Sequence, residues 1–234
     1  MNSTGYLQRR EQIETYFDRT AAQAWERLTS NAPVGRIRAT VRAGRDQMRA
    51  TLLSWLPQDM RGMRLLDAGC GTGALAMEAA QRGADVLAID LSPTLVKLAA
   101  ERHAVQAQTG QGRIDFQSGD MLAAHWGRFD HVVAMDSLIH YDMPHMVEAV
   151  QGLAARTAQS VLFTFAPRTP ALALMHGLGR LFPRSDRSPS LTPVAEVELR
   201  QGLQQALGPL GWREGQTLRI KSGFYTSQAW QWHA

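Results

Sequence analysis

The sequence predicts an α/β fold: a doubly wound, mostly parallel seven-stranded sheet with a C-terminal antiparallel hairpin and an N-terminal helical arm. Three observations predict it. From residue 63, short apolar runs alternate with helical segments, the spacing that builds a parallel sheet with helices on both faces. The first run leads straight into "GCGTGA", with glycine at three alternate positions, Gly69, Gly71 and Gly73. Near the C-terminus, two strand-like segments flank Ser222 and Gly223, a hairpin added to the sheet edge.

Each element has its own signal. Residues 1–57 read as a helical arm ahead of the first strand. In its second helix Ile37, Val41, Met48, Leu52 and Trp55 form an apolar stripe at helical spacing, the mark of a core contact. Arg38, Arg42, Arg45 and Arg49 run along its flank and read as a solvated face. "MRLLDAG" is the first strand, and "TGALAMEAAQRGA" a helix ending at Gly83. "DVLAID" is the second strand. "LSPTLVKLAAERHA" is a helix with Ser92 as N-cap and Pro93 in the first helical position. "RIDFQSGD" and "FDHVVAMD" are the third and fourth strands, "DMPHMVEAVQGLAAR" a helix and "SVLFTFAP" the fifth strand. Residues 167–192, rich in proline, serine and arginine, read as a loop with a short amphipathic helix through Leu174, Leu178 and Leu181. This loop is a candidate lid. "LTPVAEVELRQGLQQAL" is the last helix, with leucines at 199, 203 and 207.

The totals narrow the function classes. The net charge of +4 conceals +4 over residues 1–62, −5 over 63–150 and +5 over 151–234. An acidic centre between basic flanks suits a cationic ligand in the middle and an anionic substrate or surface at the flanks. A single cysteine, Cys70, excludes an internal disulfide and a multi-cysteine metal site. It reads as a small packing residue of the glycine loop. His140 and His145 lie five apart with no third ligand in view, so no metal site is expected. No apolar run reaches bilayer length and "MNSTGYLQRREQ" has no hydrophobic signal region, so the expected location is the cytoplasm.

Which cofactor the glycines hold turns on Asp67. Read from Gly69 through Gly71 and Gly73, the loop satisfies the dinucleotide fingerprint. A carboxylate two residues earlier would repel a pyrophosphate, whereas it suits an amino group or a sulfonium. Asp90, Asp120 and Asp136 end the next strands, where a parallel sheet opens its ligand crevice. Asp90 is placed for ribose hydroxyls and Asp120 for an adenine amino group. Leu91 and Met121, beside them, complete the candidate cofactor set. Four acids at strand ends describe a slot for a cationic nucleoside without phosphates, a description that S-adenosylmethionine fits and NAD does not.

These residues also carry a resemblance. "LLDAGCGTG", "LAIDLS", "SGDM" and "VVAMDSLIHY" resemble the nucleoside-binding motifs of Rossmann-like class I S-adenosylmethionine-dependent methyltransferases. Outside the core, "YFDRTAAQAWERL", "VRAGRDQM", "FAPRTP", "LFPRSDRSPS" and "SGFYTSQ" resemble one family, the magnesium-protoporphyrin IX O-methyltransferases of (bacterio)chlorophyll biosynthesis. The likeness runs from about Tyr16 to Trp230; "TSNAPVGRIRAT" departs from it, with fewer of the aromatic and polar residues expected there. Residues 58–234 would then be the S-adenosylmethionine-binding domain, 1–57 its lid and 167–192 a substrate-covering insertion.

The resemblance implies transfer of a methyl group from the sulfonium to a propionate carboxylate of the magnesium porphyrin, giving the monomethyl ester. Magnesium belongs to the substrate and S-adenosylhomocysteine is the second product. His140 and Tyr141 follow the fourth strand beside the expected methyl position. His140 either donates a hydrogen bond to the acceptor carboxylate or ligates the porphyrin magnesium. Tyr16 looks like the family's arm tyrosine, closing over the cofactor. Arg168 is a candidate partner of the second propionate, and Leu174, Met175, Leu178 and Phe182 are candidate walls for the flat ring. A magnesium chelatase subunit as partner and peripheral association with the photosynthetic membrane are further implications. The rival from the core motifs is an O-methyltransferase for another small molecule, such as a quinone precursor. A nucleic-acid methyltransferase is disfavoured: "DSLI" stands where amino-directed enzymes resemble each other in (N/D)PP(Y/F), and the sole cysteine lies in the glycine loop. A catalytically silent cofactor-binding subunit is the third alternative, which the intact slot and the adjacent histidine argue against and which a turnover assay would settle.

Overall fold

The computed structural model describes residues 35–106, 112–168 and 191–234, together with Glu11, Glu14, Thr15 and Asp18. In chain order the elements are α1 (Arg36–Ser54), β1 (Arg64–Ala68), α2 (Ala74–Gln81), β2 (Asp85–Asp90), α3 (Pro93–Gln106) and β3 (Arg113–Ser118). They continue with β4 (Phe129–Ala134), α4 (Met143–Ala154), β5 (Thr157–Phe165), α5 (Glu196–Leu207), β6 (Arg213–Ser222) and β7 (Tyr225–His233). One seven-stranded sheet runs in the order β3-β2-β1-β4-β5-β7-β6. Strands β1 to β5 pair in parallel, and β7 pairs antiparallel with both β5 and β6.

The central strands read as unbroken apolar runs because both of their faces are buried. Leu66 and Ala68 of β1 enter one core with α4, α5 and the aromatic rings of β5 and β7. Leu65 enters the other, with α1 and α2. Asp67 is the polar exception in β1. The chain reverses direction of winding at β1, which lies between β2 and β4, and such a switch point opens a crevice at the carboxyl ends of the strands.

Local signals place the elements. Ser92 Oγ accepts the Leu95 N–H at 3.3 Å, capping α3 as expected. Asp142 caps α4 by accepting the His145 N–H. The C-terminal hairpin joins the sheet through its second strand, so β7 is interior, which is why Trp230 and Trp232 are fully buried while β6 forms the exposed edge.

Two boundaries differ from the sequence pattern. The last helix begins at Glu196 because Pro193 and Val194 are extended: the Val194 N–H donates to Ala166 O and its carbonyl accepts from Arg168 N–H. The apolar stripe of α1 is only half used. Met48 and Leu52 are fully buried, whereas Ile37 is 59% exposed, since α1 meets the hairpin turn through the small residues Thr40 and Gly44. The C-terminal half of α1 is therefore part of the core, though it precedes the first strand by ten residues or more. Among the described residues no helix is long and apolar enough to cross a membrane.

Candidate active site

The glycine loop follows β1 and is held down by β2: the N–H groups of Gly69 and Cys70 both donate to Ile89 O, at 2.8 and 2.9 Å. Gly69 and Gly73 have φ of +90° and +78°, a region that side chains resist. Space forbids a side chain as well. A Cβ on Gly73 would lie 2.9 Å from the Phe116 ring, and one on Gly69 would collide with Ser137 Cβ. The second contact shows that the loop after β1 and the turn after β4 touch, which places Ser137 and the following residues beside the cofactor loop. The Cys70 thiol is pushed well up by burial and by Asp90 and Asp67, so it is a protonated packing group.

The expected acids fare differently. Asp67 is 2% exposed and its Oδ2 is buried with no hydrogen-bond partner among the described residues. Burial first, and then the neighbouring Asp90, push its carboxyl up to about 7. Withdrawal from water raises Asp90 too, although backbone N–H groups counteract this: Gly71 donates to Oδ2 and Ser92 to Oδ1, each at 2.9 Å. Asp90 thus ties the glycine loop to the start of α3, and each of its oxygens keeps a lone pair for another donor. Asp120 follows β3 and accepts the Leu122 N–H at 2.9 Å, with Met121 buried beside it and Leu91 packed against the same core. Asp136 has partners quite unlike those expected. Its carboxylate takes Arg45 at 2.6 Å and the Tyr225 hydroxyl at 3.1 Å, so it binds the chain to itself rather than standing open to a nucleoside. Asp67, Asp90 and the loop glycines are brought together; Asp136 belongs to a separate network.

His140 lies on the single 3-10 turn Leu138–His140 after β4 and is 5% exposed. That turn is held by Thr192, whose N–H donates to Ile139 O at 2.9 Å and whose hydroxyl donates to His140 O at 3.4 Å. Tyr141, grouped with His140 from sequence, is instead enclosed in the larger core at 3% exposure. The Arg168 side chain is 59% exposed with Glu198 at 3.7 Å, a solvent-facing pairing. Tyr16, Leu174, Met175, Leu178 and Phe182 lie outside the described residues. Among the described residues of the arm, Asp18 meets the start of α3. Its Oδ1 accepts from Ser92 Oγ at 3.1 Å and Thr94 N–H at 3.2 Å, placing it on the N-terminus of α3 next to Asp90.

Sequence reasoning missed three residues of this region. Ser137, whose buried Oγ has no hydrogen-bond partner, was hidden in a motif read for its neighbours. Arg45 was placed on a solvated face, and Tyr225 carried no signal beyond its motif. Among the described residues there is no group of three His, Cys, Asp or Glu able to hold a metal ion.

Comparison with known proteins fits this geometry. Residues 134–233 match the family described as magnesium-protoporphyrin IX methyltransferase C-terminus, and residues 65–159 a methyltransferase domain. The magnesium-protoporphyrin O-methyltransferase of Rhodobacter capsulatus is 44% identical over 224 residues, covering 95% of this chain and 96% of that protein. The crystal structure of magnesium protoporphyrin IX methyltransferase from Synechocystis PCC 6803 with bound SAH superposes with a TM-score of 0.81 at 27% identity, covering 95% of this chain and 98% of that one. By contrast, a ubiquinone biosynthesis O-methyltransferase from Xanthomonas oryzae pv. oryzae is 33% identical over 134 residues, only 54% of each chain. The likeness to this quinone enzyme covers about half of the chain, whereas the likeness to the Rhodobacter capsulatus enzyme covers nearly all of it. With a methyltransferase sheet, an acidic slot behind a glycine loop and this end-to-end similarity, the chain belongs to the magnesium-protoporphyrin O-methyltransferase family.

Proposed function

We propose that this protein transfers the methyl group of S-adenosylmethionine to a propionate carboxylate of magnesium protoporphyrin IX, forming the monomethyl ester for (bacterio)chlorophyll biosynthesis. The observation that carries the reading is the 44% identity over 95% of the chain, because it includes the segments that a shared cofactor domain does not explain. The site fits the cofactor on its own evidence. A buried carboxylate oxygen of Asp67 lacks a donor among the described residues, and a cationic or ammonium group is the donor that its setting calls for. Asp90, Leu91, Asp120 and Met121 would hold the nucleoside, and Gly69, Gly71 and Gly73 let it approach the backbone.

When bound, S-adenosylmethionine supplies a methyl group on a positively charged sulfur. The chain's own residues have two tasks, orientation and the exclusion of water. A propionate is ionised at neutral pH, so no strong base is required and orientation dominates. His140, fixed by Thr192 and nearly buried, donates an imidazole N–H to the acceptor carboxylate and aims its oxygen. Asp18 rests on the N-terminus of α3 and Thr192 on the His140 turn, and exclusion of water between them strengthens the attraction between the two opposite charges.

The test is a visible-absorbance titration of the protein, preloaded with S-adenosylhomocysteine, with magnesium protoporphyrin. Saturable binding is expected, with a phenolic quinone precursor giving no competition. Displacement of the porphyrin by the phenol, or no saturable binding, would favour the small-molecule alternative.

A further inference from the structure

Asp136 stands two residues beyond β4 with φ of +54°, the one positive value for a non-glycine residue among those described. That backbone region is strained for an L-residue, so the surrounding structure must hold it. Thr164 of β5 grips both ends of the residue: the Asp136 N–H donates to Thr164 Oγ1 at 2.7 Å, and that hydroxyl donates to Asp136 Oδ1 at 3.1 Å. From β7 the Tyr225 hydroxyl donates to the same carboxylate, at 3.1 and 3.2 Å from its oxygens. From α1 comes Arg45, 2.6 Å from Oδ2. The carboxylate is 4% exposed, so three elements remote in sequence meet at one buried charge.

Burying an ion pair for stability alone is a poor bargain, since an apolar contact of the same size does as well. What the network does control is the direction in which the chain leaves β4. The next residue, Ser137, packs on Gly69 of the cofactor loop, and the turn Leu138–His140 follows directly. A change of backbone region at Asp136 would swing Ser137 and His140 together. Thr192 fixes the far side of that turn, at Ile139 and His140, so Asp136 and Thr192 clamp it from opposite ends.

We propose that Asp136 is a positioning residue for methyl transfer: held left-handed by Thr164, Tyr225 and Arg45, it sets where His140 stands relative to the cofactor loop. This rests on the reading of His140 as the group that aims the acceptor. Misplacing an aligned group by about 1 Å lowers rates by roughly 100-fold, whereas binding of the cofactor to Asp67 and Asp90 does not depend on His140.

The experiment compares turnover, cofactor affinity and melting for Asp136→Gly, Asp136→Asn, His140→Ala and the pair Asp136→Gly with His140→Ala. Asp136→Gly keeps the left-handed backbone accessible but removes the carboxylate. Asp136→Asn tolerates the same backbone and keeps an acceptor for Thr164 and Tyr225. The expected result is a kcat loss of about 30–100-fold for Asp136→Gly, with cofactor Kd within about threefold of the wild type. Asp136→Asn should recover at least about tenfold of that loss, and the pair should be no slower than His140→Ala alone, since both act through one group. If Asp136→Gly does not fold, Tyr225→Phe removes one donor from the same carboxylate and should lower kcat by about fivefold at unchanged cofactor affinity. Wild-type kcat in folded Asp136→Gly or in Tyr225→Phe, or losses that multiply in the pair, would overturn the proposal. Wild-type turnover in His140→Ala would instead sink the reading of His140 and is seen independently of any Asp136 variant.

Discussion

Asp67→Asn should make the empty protein more stable and the cofactor bind more weakly, and the size of both effects follows from the site. Burial and Asp90 raise the Asp67 carboxyl from an ordinary 3.8 to about 7. The folded state therefore holds a proton that the unfolded state has lost across that interval. Stability from this group is full below pH 4 and falls as pH rises, until the group ionises in the folded protein near pH 7. A shift of about three units corresponds to about 4 kcal/mol lost by pH 8. The amide variant carries no charge but leaves N–H groups short of acceptors, which takes back about half. The net gain at pH 8 is then about 2 kcal/mol, or roughly 4–8 °C in melting temperature for a chain of this size. No net gain is expected at pH 5, where the native protein has lost only about 1–2 kcal/mol through ionisation of the unfolded Asp67, an amount that the amide's own cost offsets. Cofactor binding has the opposite dependence. A cation pairs with ionised Asp67, so affinity of the native protein should rise about tenfold from pH 6 to pH 8, while Asp67→Asn binds about 30-fold more weakly at pH 8 and loses the pH dependence. Thermal melting and titration calorimetry across this range measure both. If S-adenosylhomocysteine shows the same rise, Asp67 faces the shared amino group; if only S-adenosylmethionine does, it faces the sulfonium. A variant destabilised at pH 8, or a native affinity flat with pH, would refute the reasoning.

Other outcomes follow from the same geometry. His140→Ala should lower turnover by about one to three orders of magnitude with far less change in cofactor affinity, read by steady-state kinetics beside calorimetry. Gly69→Ala places a methyl group on Ser137 and in a left-handed backbone, so cofactor binding should fall below detection while the sheet still melts cooperatively. Asp18→Ala removes an acceptor from the N-terminus of α3 and should cost about 1 kcal/mol of arm attachment, seen as faster limited proteolysis within residues 1–34 and a smaller protection by cofactor.

The sheet was legible because its central strands are buried on both sides and so stand out as apolar runs separated by amphipathic helices. Ser92, Pro93 and Gly83 marked helix ends because capping is a local matter of one or two residues. The acids Asp67 and Asp90 were legible by position, since the carboxyl end of a parallel strand can be counted along the chain. The fate of Asp136 was not. Its place after β4 is countable, but its left-handed backbone depends on Thr164, 28 residues on, and its charge on Arg45, 91 residues back. No periodicity reports a pairing across three elements, and for the same reason Arg45 reads as one more arginine on a helix flank. Tyr141 was legible as the neighbour of His140, whereas its burial in the larger core is a long-range property that adjacency does not report. The last helix read too long because its leucines keep helical spacing, whereas Pro193 and the Val194 bridge to the end of β5 decide where it starts.

The central claim is tested most directly by mass spectrometry of the porphyrin after incubation with the purified protein and S-adenosylmethionine. Two substrates are offered side by side, magnesium protoporphyrin IX and its metal-free form, together with a phenolic quinone precursor as competitor. The account predicts that magnesium protoporphyrin gains one methyl group and stops there, that the gain is lost on mild ester hydrolysis, and that the phenol is unchanged. Methylation of the phenol with the magnesium porphyrin untouched, while calorimetry shows the cofactor bound, would contradict it.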